Sequence, residues 1–394
     1  MIPIIKPFFD DNEARAVARV IASGWVAQGP EVTAFEHEFA EAVAALHACA
    51  VSNCTTALHL ALLAVGVRPG DEVVTVSHSF IATANAVRYC GAVPVFVDIL
   101  PDQYNLDPGL LEAAIGERTR AILCVHQMGM PCDMAAVLAV ARRHGIPVVE
   151  DAACALGSLY RSGEAFEPIG KPHGDIACFS FHPRKIVTTG EGGMLTTANS
   201  EWDAAFRLAR QHAMSVPDTA RHGASKVIFE EYLRLGYNYR MSDLQAAVGR
   251  VQLARLPEII ARRRALADRY AALLAAVPGI VVPREPAFAR SNWQSYCVRL
   301  PNGADQRQVL QHLLDAGVSA KRGIMCAHLE PAYAIEPWIW VDADGRRRQG
   351  DPQGKALPES RRARDACILL PLFHTMSDAD QDRVVVALKD ALAA

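Results

Sequence analysis

Nothing in this chain of 394 residues approaches the roughly 20 consecutive apolar residues that cross a bilayer. Its opening, Met1-Ile2-Pro3-Ile4-Ile5-Lys6-Pro7, has no apolar run ending at a small-residue cleavage site, so a cytoplasmic location is the expectation. An excess of charge is lacking too. Forty Lys and Arg against 43 Asp and Glu leave a net charge of −3, which makes no case for nucleic acid or an anionic membrane as partner. The ten cysteines (49, 54, 90, 124, 132, 154, 178, 297, 326 and 367) contain no Cys-x-x-Cys pair. Most sit in apolar runs such as Ala177-Cys178-Phe179, which reads as buried thiols in a reducing compartment, with neither disulfides nor a metal site. The glycines form neither G-x-G-x-x-G nor a P-loop, so nucleotide-fold readings are set aside.

What is present is an ordinary soluble composition, 51% hydrophobic and 21% charged, on a chain too long for one simple core. Strands are expected at 72–76, 93–98, 121–126, 147–151, 176–181 and 193–196, with helices at 55–65, 82–90 and 134–144. Runs apolar on both faces, separated by helix-length segments, give an α/β class: a mostly parallel sheet covered by helices. Near Ser242 the text changes. Ser242-Asp243-Leu244-Gln245 is a capping box opening a long helical stretch to about residue 277, with a break expected at Pro257. A strand at 296–300, a helix at 306–316 and a last helix at 377–393 complete a smaller α+β lobe. The stretch 278–292 is read as an exposed connection and 342–354 as a solvated loop. The expected division is 13–245 for the large domain and 246–394, with 1–12, for the small one.

In an open parallel sheet, ligands bind at the carboxyl ends of the strands. The residues there are His78, Phe80, Asp98, His126, Asp151, His182 and Lys185. Ser52-Asn53-Cys54-Thr55-Thr56-Ala57-Leu58 feeds a polar turn into a helix whose free N–H groups suit a phosphate, although alone it is more often a plain N-cap. Val148-Val149-Glu150-Asp151 ends a buried strand in an acid that needs a cation or hydrogen bonds; a structural partner fits as well as a ligand. Phe179-Ser180-Phe181-His182-Pro183-Arg184-Lys185, followed by Gly190-Glu191-Gly192-Gly193, sets a lysine where a dry pocket would make it nucleophilic.

These blocks resemble the DegT/DnrJ/StrS family of pyridoxal-phosphate (PLP) sugar aminotransferases, and the resemblance spans nearly the whole chain. It starts at Ser23-Gly24-Trp25 with Gly29-Pro30 and runs through Ser52–Leu58, Gly70-Asp71-Glu72-Val73, Glu150-Asp151-Ala152-Ala153 and the Lys185 block. It then takes in Gly236-Tyr237-Asn238-Tyr239-Arg240-Met241 and ends at Leu370-Pro371-Leu372. The resemblance implies the fold-type I architecture and PLP as cofactor, with L-glutamate or glutamine as donor and a nucleotide-linked keto-sugar as acceptor. By the same resemblance Lys185 forms the Schiff base, Asp151 pairs with the ring nitrogen and Phe80 stacks on the ring. Thr55, Thr56 and Ser180 cradle the phosphate, which Asn238 reaches from the other subunit of a homodimer. His182 is a candidate acid/base or substrate contact, and His126, Arg322 and His328 are candidate substrate residues.

Departures from the family pattern are Cys54, where glycine is frequent, and His126-Gln127-Met128-Gly129 in the substrate region. Cyclitol and sugar-acid ketones stay open as acceptors. A sugar dehydratase would carry histidine in place of Lys185. A non-catalytic regulator need not keep Lys185, Asp151 and Ser180 together.

Overall fold

The computed structural model describes residues 1–216, 221, 225–351 and 353–393. Strands are β1 His47–Val51, β2 Glu72–Val76, β3 Val93–Val97, β4 Thr119–Val125, β5 Val148–Asp151, β6 Leu159–Ser162, β7 Ala165–Pro168, β8 Ile176–Ser180, β9 Gly193–Thr197, β10 Ala289–Arg290, β11 Tyr296–Arg299, β12 Lys321–Arg322, β13 Ile339–Val341, β14 Arg347–Gln349 and β15 Cys367–Leu370. Among the described residues, nine of them form one sheet in the order β1-β9-β8-β5-β4-β2-β3-β13-β14. The central pairs, from β8 through β5, β4, β2 and β3 to β13, are parallel. The physical reason is the one expected: segments such as Glu-Val-Val-Thr-Val and Val-Val-Glu-Asp are buried at every position, which requires cover on both faces.

The expected helices are found at Cys54–Ala64, Ala82–Tyr89 and Met134–His144. Ser242 caps the helix Asp243–Ala254 through a reciprocal bond with Gln245. That helix ends at Arg255, and a second, Leu256–Leu274, starts with Pro257 in its first turn, the position that tolerates a missing N–H. Asp243 also accepts amide hydrogens from Gly29 at 2.8 Å, Glu31 at 3.2 Å and Val32 at 3.0 Å, capping the helix Pro30–Ala42 across more than two hundred residues. Gly29 cannot be larger: a Cβ there would lie 2.1 Å from the Trp25 indole nitrogen.

A second hydrophobic cluster joins Ile2 to Leu266, Tyr270, Tyr296, Val298, Leu313, Ile368 and Val384. It is built on the small sheet β11-β15-β12. Two expectations need correction. The stretch 342–354 is not simply a solvated loop, because β14 lies within it and pairs with β13, which runs parallel to β3 and so extends the main sheet. Hydrogen bonding along the edge of β13 outweighs the polar text of that segment. The connection 278–292 is not exposed throughout, since Ala289, Ser291 and Asn292 are buried.

Candidate active site

Three strand ends and one helix start meet above the sheet. In β8 and just beyond it, Phe179 packs on Phe39 and Phe181 on Phe35, so Ser180 between them points to the opposite face. Beyond β8 the chain turns tightly: the amide of Lys185 donates to the His182 carbonyl at 2.8 Å, and Thr188 and Thr189 both donate to the Phe181 carbonyl. Gln294 holds the Arg184 carbonyl from the small lobe. Lys185 is thus presented on a pinned loop, half-buried, and its Nζ donates to the Cys154 sulfur at 3.0 Å. Burial acts to lower the pKa of this amine, but the Cys154 sulfur, Cys54 and the Asp151 carboxylate outweigh it and raise it.

Asp151 closes β5. Its carboxylate accepts from the Thr83 hydroxyl at 2.7 Å and from the Ala153 amide at 3.1 Å. Among the described residues no Arg or Lys reaches it in an ion pair, and burial pushes its pKa up. A buried carboxylate with so little compensation is disposed to take a cation, and a protonated pyridine nitrogen is such a group.

Asn53 caps the helix Cys54–Ala64 by accepting from the Thr56 amide at 2.9 Å, and Thr56 returns a bond to the Asn53 backbone. Thr55 and Thr56 therefore lie in a helix first turn, where free N–H groups and the dipole favour a phosphate. A Cβ at Gly193 would meet the Asn53 carbonyl carbon at 2.5 Å, so β9 approaches this turn as closely as glycine allows. Phe80, beyond β2, is 71% exposed. Core packing is therefore excluded for it, and an uncovered ring is available to stack on a flat ligand. A lysine amine, an uncompensated acid, a phosphate-ready helix start and an open aromatic fit PLP.

His182 is half-exposed on the same loop. Its Nδ1 accepts from the Arg184 amide at 3.2 Å, and its Nε2 lies 4.0 Å from Glu191. Burial lowers its pKa, which keeps the ring neutral near pH 7. Asn238 is exposed, with its backbone paired to Gln211. Arg322 is exposed and 3.6 Å from Glu330.

His126 and His328 do not line the open site. His126 is fully buried: Nε2 bonds Glu150 at 2.8 Å and Nδ1 lies 3.0 Å from the Cys132 backbone nitrogen. Both ring nitrogens are spent inside the protein, where they tie β4 to β5. His328 is buried beneath β2, with Nδ1 2.6 Å from the Ser77 hydroxyl. Burial drives its pKa down to about 4. Residues that sequence reasoning missed are Cys154, Thr83 and Asn292, the last of which holds the Cys154 carbonyl at 2.8 Å. Thr83 had a signal in its place three residues after Phe80, in the first turn of the next helix.

A lysine amine and a cation-seeking acid at the carboxyl ends of a mostly parallel sheet fit the class of PLP-dependent aminotransferases. The chain belongs to the DegT/DnrJ/EryC1/StrS aminotransferase family, whose family model matches residues 7–389. It is 37% identical over 393 residues to the spore coat polysaccharide biosynthesis protein SpsC of Bacillus subtilis, covering 99% of this chain and 96% of that one. It is 37% identical over 399 residues to GDP-perosamine synthase of Caulobacter vibrioides, covering 99% and 98%. The PMP form of Spr1654 from Streptococcus pneumoniae superposes with a TM-score of 0.88 at 27% identity, covering 100% of this chain and 99% of that one, and that protein is also solved in a PLP form. Among the described residues no helix is long and apolar enough to cross a membrane.

Proposed function

We propose that this enzyme binds PLP at Lys185 and moves an amino group from L-glutamate or glutamine to a nucleotide-linked keto-deoxyhexose, for amino-sugar synthesis. The observation that carries the reading is that the Lys185 amine and the buried Asp151 carboxylate, which has no ion-pair partner among the described residues, lie close enough at neighbouring strand ends to feel each other's charge. Thr55, Thr56, Ser180 and Asn238 of the partner subunit would hold the phosphate, Asp151 the ring nitrogen and Phe80 the ring face. Bound PLP supplies an electron sink for the bond-breaking at the amino-bearing carbon. The chain's own part is positional: Asp151 holds a positive charge in place, and Lys185 gives and takes a proton at Nζ. His182, neutral, is placed to accept or relay one at the same mouth. Arg322 at the small-lobe rim is the candidate for an acidic group of the acceptor.

The acceptor class rests on relatives named for perosamine and spore coat polysaccharide synthesis. The homodimer rests on Val227, Phe229 and Leu235, each more than four-fifths exposed on the segment leading to Asn238, a patch of the sort that marks an interface. We place the enzyme in the cytoplasm, supported by ten free cysteines. The proposed division into 13–245 and 246–394, with 1–12, is supported by Ile2 lying in the second hydrophobic cluster. The test is a visible-spectrum titration of the PLP-loaded protein with L-glutamate, beside Lys185→Ala. Colour that fades with glutamate in the wild type and never forms in the variant is expected. A wild type that stays colourless after PLP is added overturns the reading. GDP- and dTDP-linked 4-keto-6-deoxyhexoses, added next, should return the colour; recovery only with cyclitol or sugar-acid ketones would overturn the acceptor.

A further inference from the structure

Arg184 precedes Lys185 on its pinned loop, and Lys321 lies on β12 of the small lobe. Both line a cavity of about 100 Å³ where the two lobes meet. Among the described residues neither cation has an ion-pair or hydrogen-bond partner for its head group, and the Ser295 hydroxyl on the same wall has none either. Gln294, beside them, spends its amide on the Arg184 carbonyl at 2.5 Å. No Asp or Glu among the described residues lines the cavity; the rest of its wall is apolar, from Ile4, Ile5, Leu369 and Leu372. Lys321 is half-buried, and burial together with the charge of Arg184 lowers its pKa. Two cations therefore share one small space with no counter-charge.

We propose that this cavity takes the side-chain carboxylate of the amino donor, hydrogen-bonded by Arg184, Lys321 and Ser295, and that it makes the enzyme selective for L-glutamate over L-glutamine. The inference rests on the reading of Lys185 given above, which brings the amino-bearing carbon of that substrate to the residue next to Arg184. Like charges held together in a half-buried space repel, and an anion between them turns repulsion into attraction. The volume is well below the roughly 300 Å³ at which cavities for whole drug-sized ligands begin, so it holds one end of a ligand. The apolar wall decides which end. The carboxylate of glutamate is carried on methylenes, whose burial against such a wall is favourable, whereas the phosphates of a nucleotide-linked sugar have polar groups on both sides. Glutamine has the same length, but its NH2 group would face N–H and O–H groups. It would lose the charge-assisted bonds that a carboxylate accepts.

The test is single-turnover bleaching of the PLP-loaded protein by L-glutamate or L-glutamine over a range of concentrations, in wild type, Arg184→Ala, Lys321→Ala and Lys321→Arg. Loss of one charge-assisted bond is about tenfold in affinity. The wild type should half-saturate at a glutamate concentration at least about tenfold below that for glutamine. Each alanine variant should raise the glutamate value by about that factor and bring the two amino donors together, while Lys321→Arg keeps the preference. A wild type indifferent to the two, or alanine variants that keep its preference, overturns the inference. The aminated form of each variant is then titrated with the nucleotide-linked keto-sugar. A loss of affinity there, with the amino donors unmoved, assigns the cavity to phosphate and overturns the carboxylate. Glutarate binding to the cofactor-free protein, read by calorimetry, should weaken by the same factor in both alanine variants. Glutarate that binds the wild type no better than the variants also overturns the inference. That arm needs no PLP, so a wild type that never colours sinks the function reading while the cavity is still tested on its own.

Discussion

Glu150 directly precedes Asp151 and its partner His126 directly follows β4; neither meets solvent, and their chemistry is that of a buried ion pair. Burial favours the neutral imidazole, but the hydrogen bonds to Cys132 and Glu150 outweigh it and raise the His126 pKa. Burial likewise disfavours the Glu150 carboxylate, and His126, with His173 and the Gly174 amide, overcomes this and lowers its pKa. A pair of this kind is poorly replaced by half of itself. His126→Gln should cost roughly 3–5 kcal/mol, the usual penalty for leaving a buried charge alone, read as a lower urea midpoint. The sign of the pH dependence follows from the two directions. The histidine's contribution is complete below its unfolded pKa of about 6.5 and is lost as pH rises through its raised folded value. The glutamate's contribution is present above its unfolded pKa of about 4.3 and is lost as pH falls through its lowered one. The stability gap between wild type and variant should therefore be widest near pH 5–6 and close toward alkaline pH. A gap independent of pH would show that the pair is not ionised.

At the scale of elements, the start of the helix Pro30–Ala42 depends on a residue from another part of the chain. Asp243→Ala leaves the amides of Gly29, Glu31 and Val32 without their acceptor, at about 1–3 kcal/mol for buried donors. The same urea unfolding should show this, while Asp243→Asn, which keeps one acceptor oxygen, should recover part of it. Such long-range partners explain what the sequence revealed and what it did not. The strands β2, β4, β5 and β8 were legible because their own apolar runs carry the signal, and Ser242-x-x-Gln245 announced its helix locally. The edge strand β1 and the hairpin of β13 and β14 were not legible, since the polar Arg347-Arg348-Gln349 becomes strand only by meeting a distant neighbour. Within the site, the placing of Asp151 at the end of β5 and of Lys185 just beyond β8 was legible from motif order. Cys154 was not, because its contact with Lys185 spans thirty-one residues and no spacing rule covers it. His126 was misread for the converse reason: a strand-end position predicts facing the ligand, and Glu150 turns the ring inward instead.

At the scale of the whole molecule, shared sites make a strong prediction. If Asn238 serves the partner's phosphate, a mixed dimer of Lys185→Ala with Asn238→Ala subunits has one complete site, although each parent is inactive or nearly so. Activity should appear when the two variants are unfolded and refolded together, and a mixture no better than its parents would place Asn238 in its own subunit's site. Phe229→Asp with Leu235→Asp should shift the sedimentation coefficient to that of a monomer. A different consequence follows from the hairpin that finishes the main sheet. β3 is made first, whereas β13, its parallel neighbour, follows more than two hundred residues later. During synthesis, which proceeds from the N-terminus, the nascent large lobe emerges with a row of unpaired N–H and C=O groups along β3, a template for any other strand nearby. The chain can seal that edge only after more than two hundred further residues have been made, so the period of greatest exposure to aggregation is built into the order in which the residues are strung.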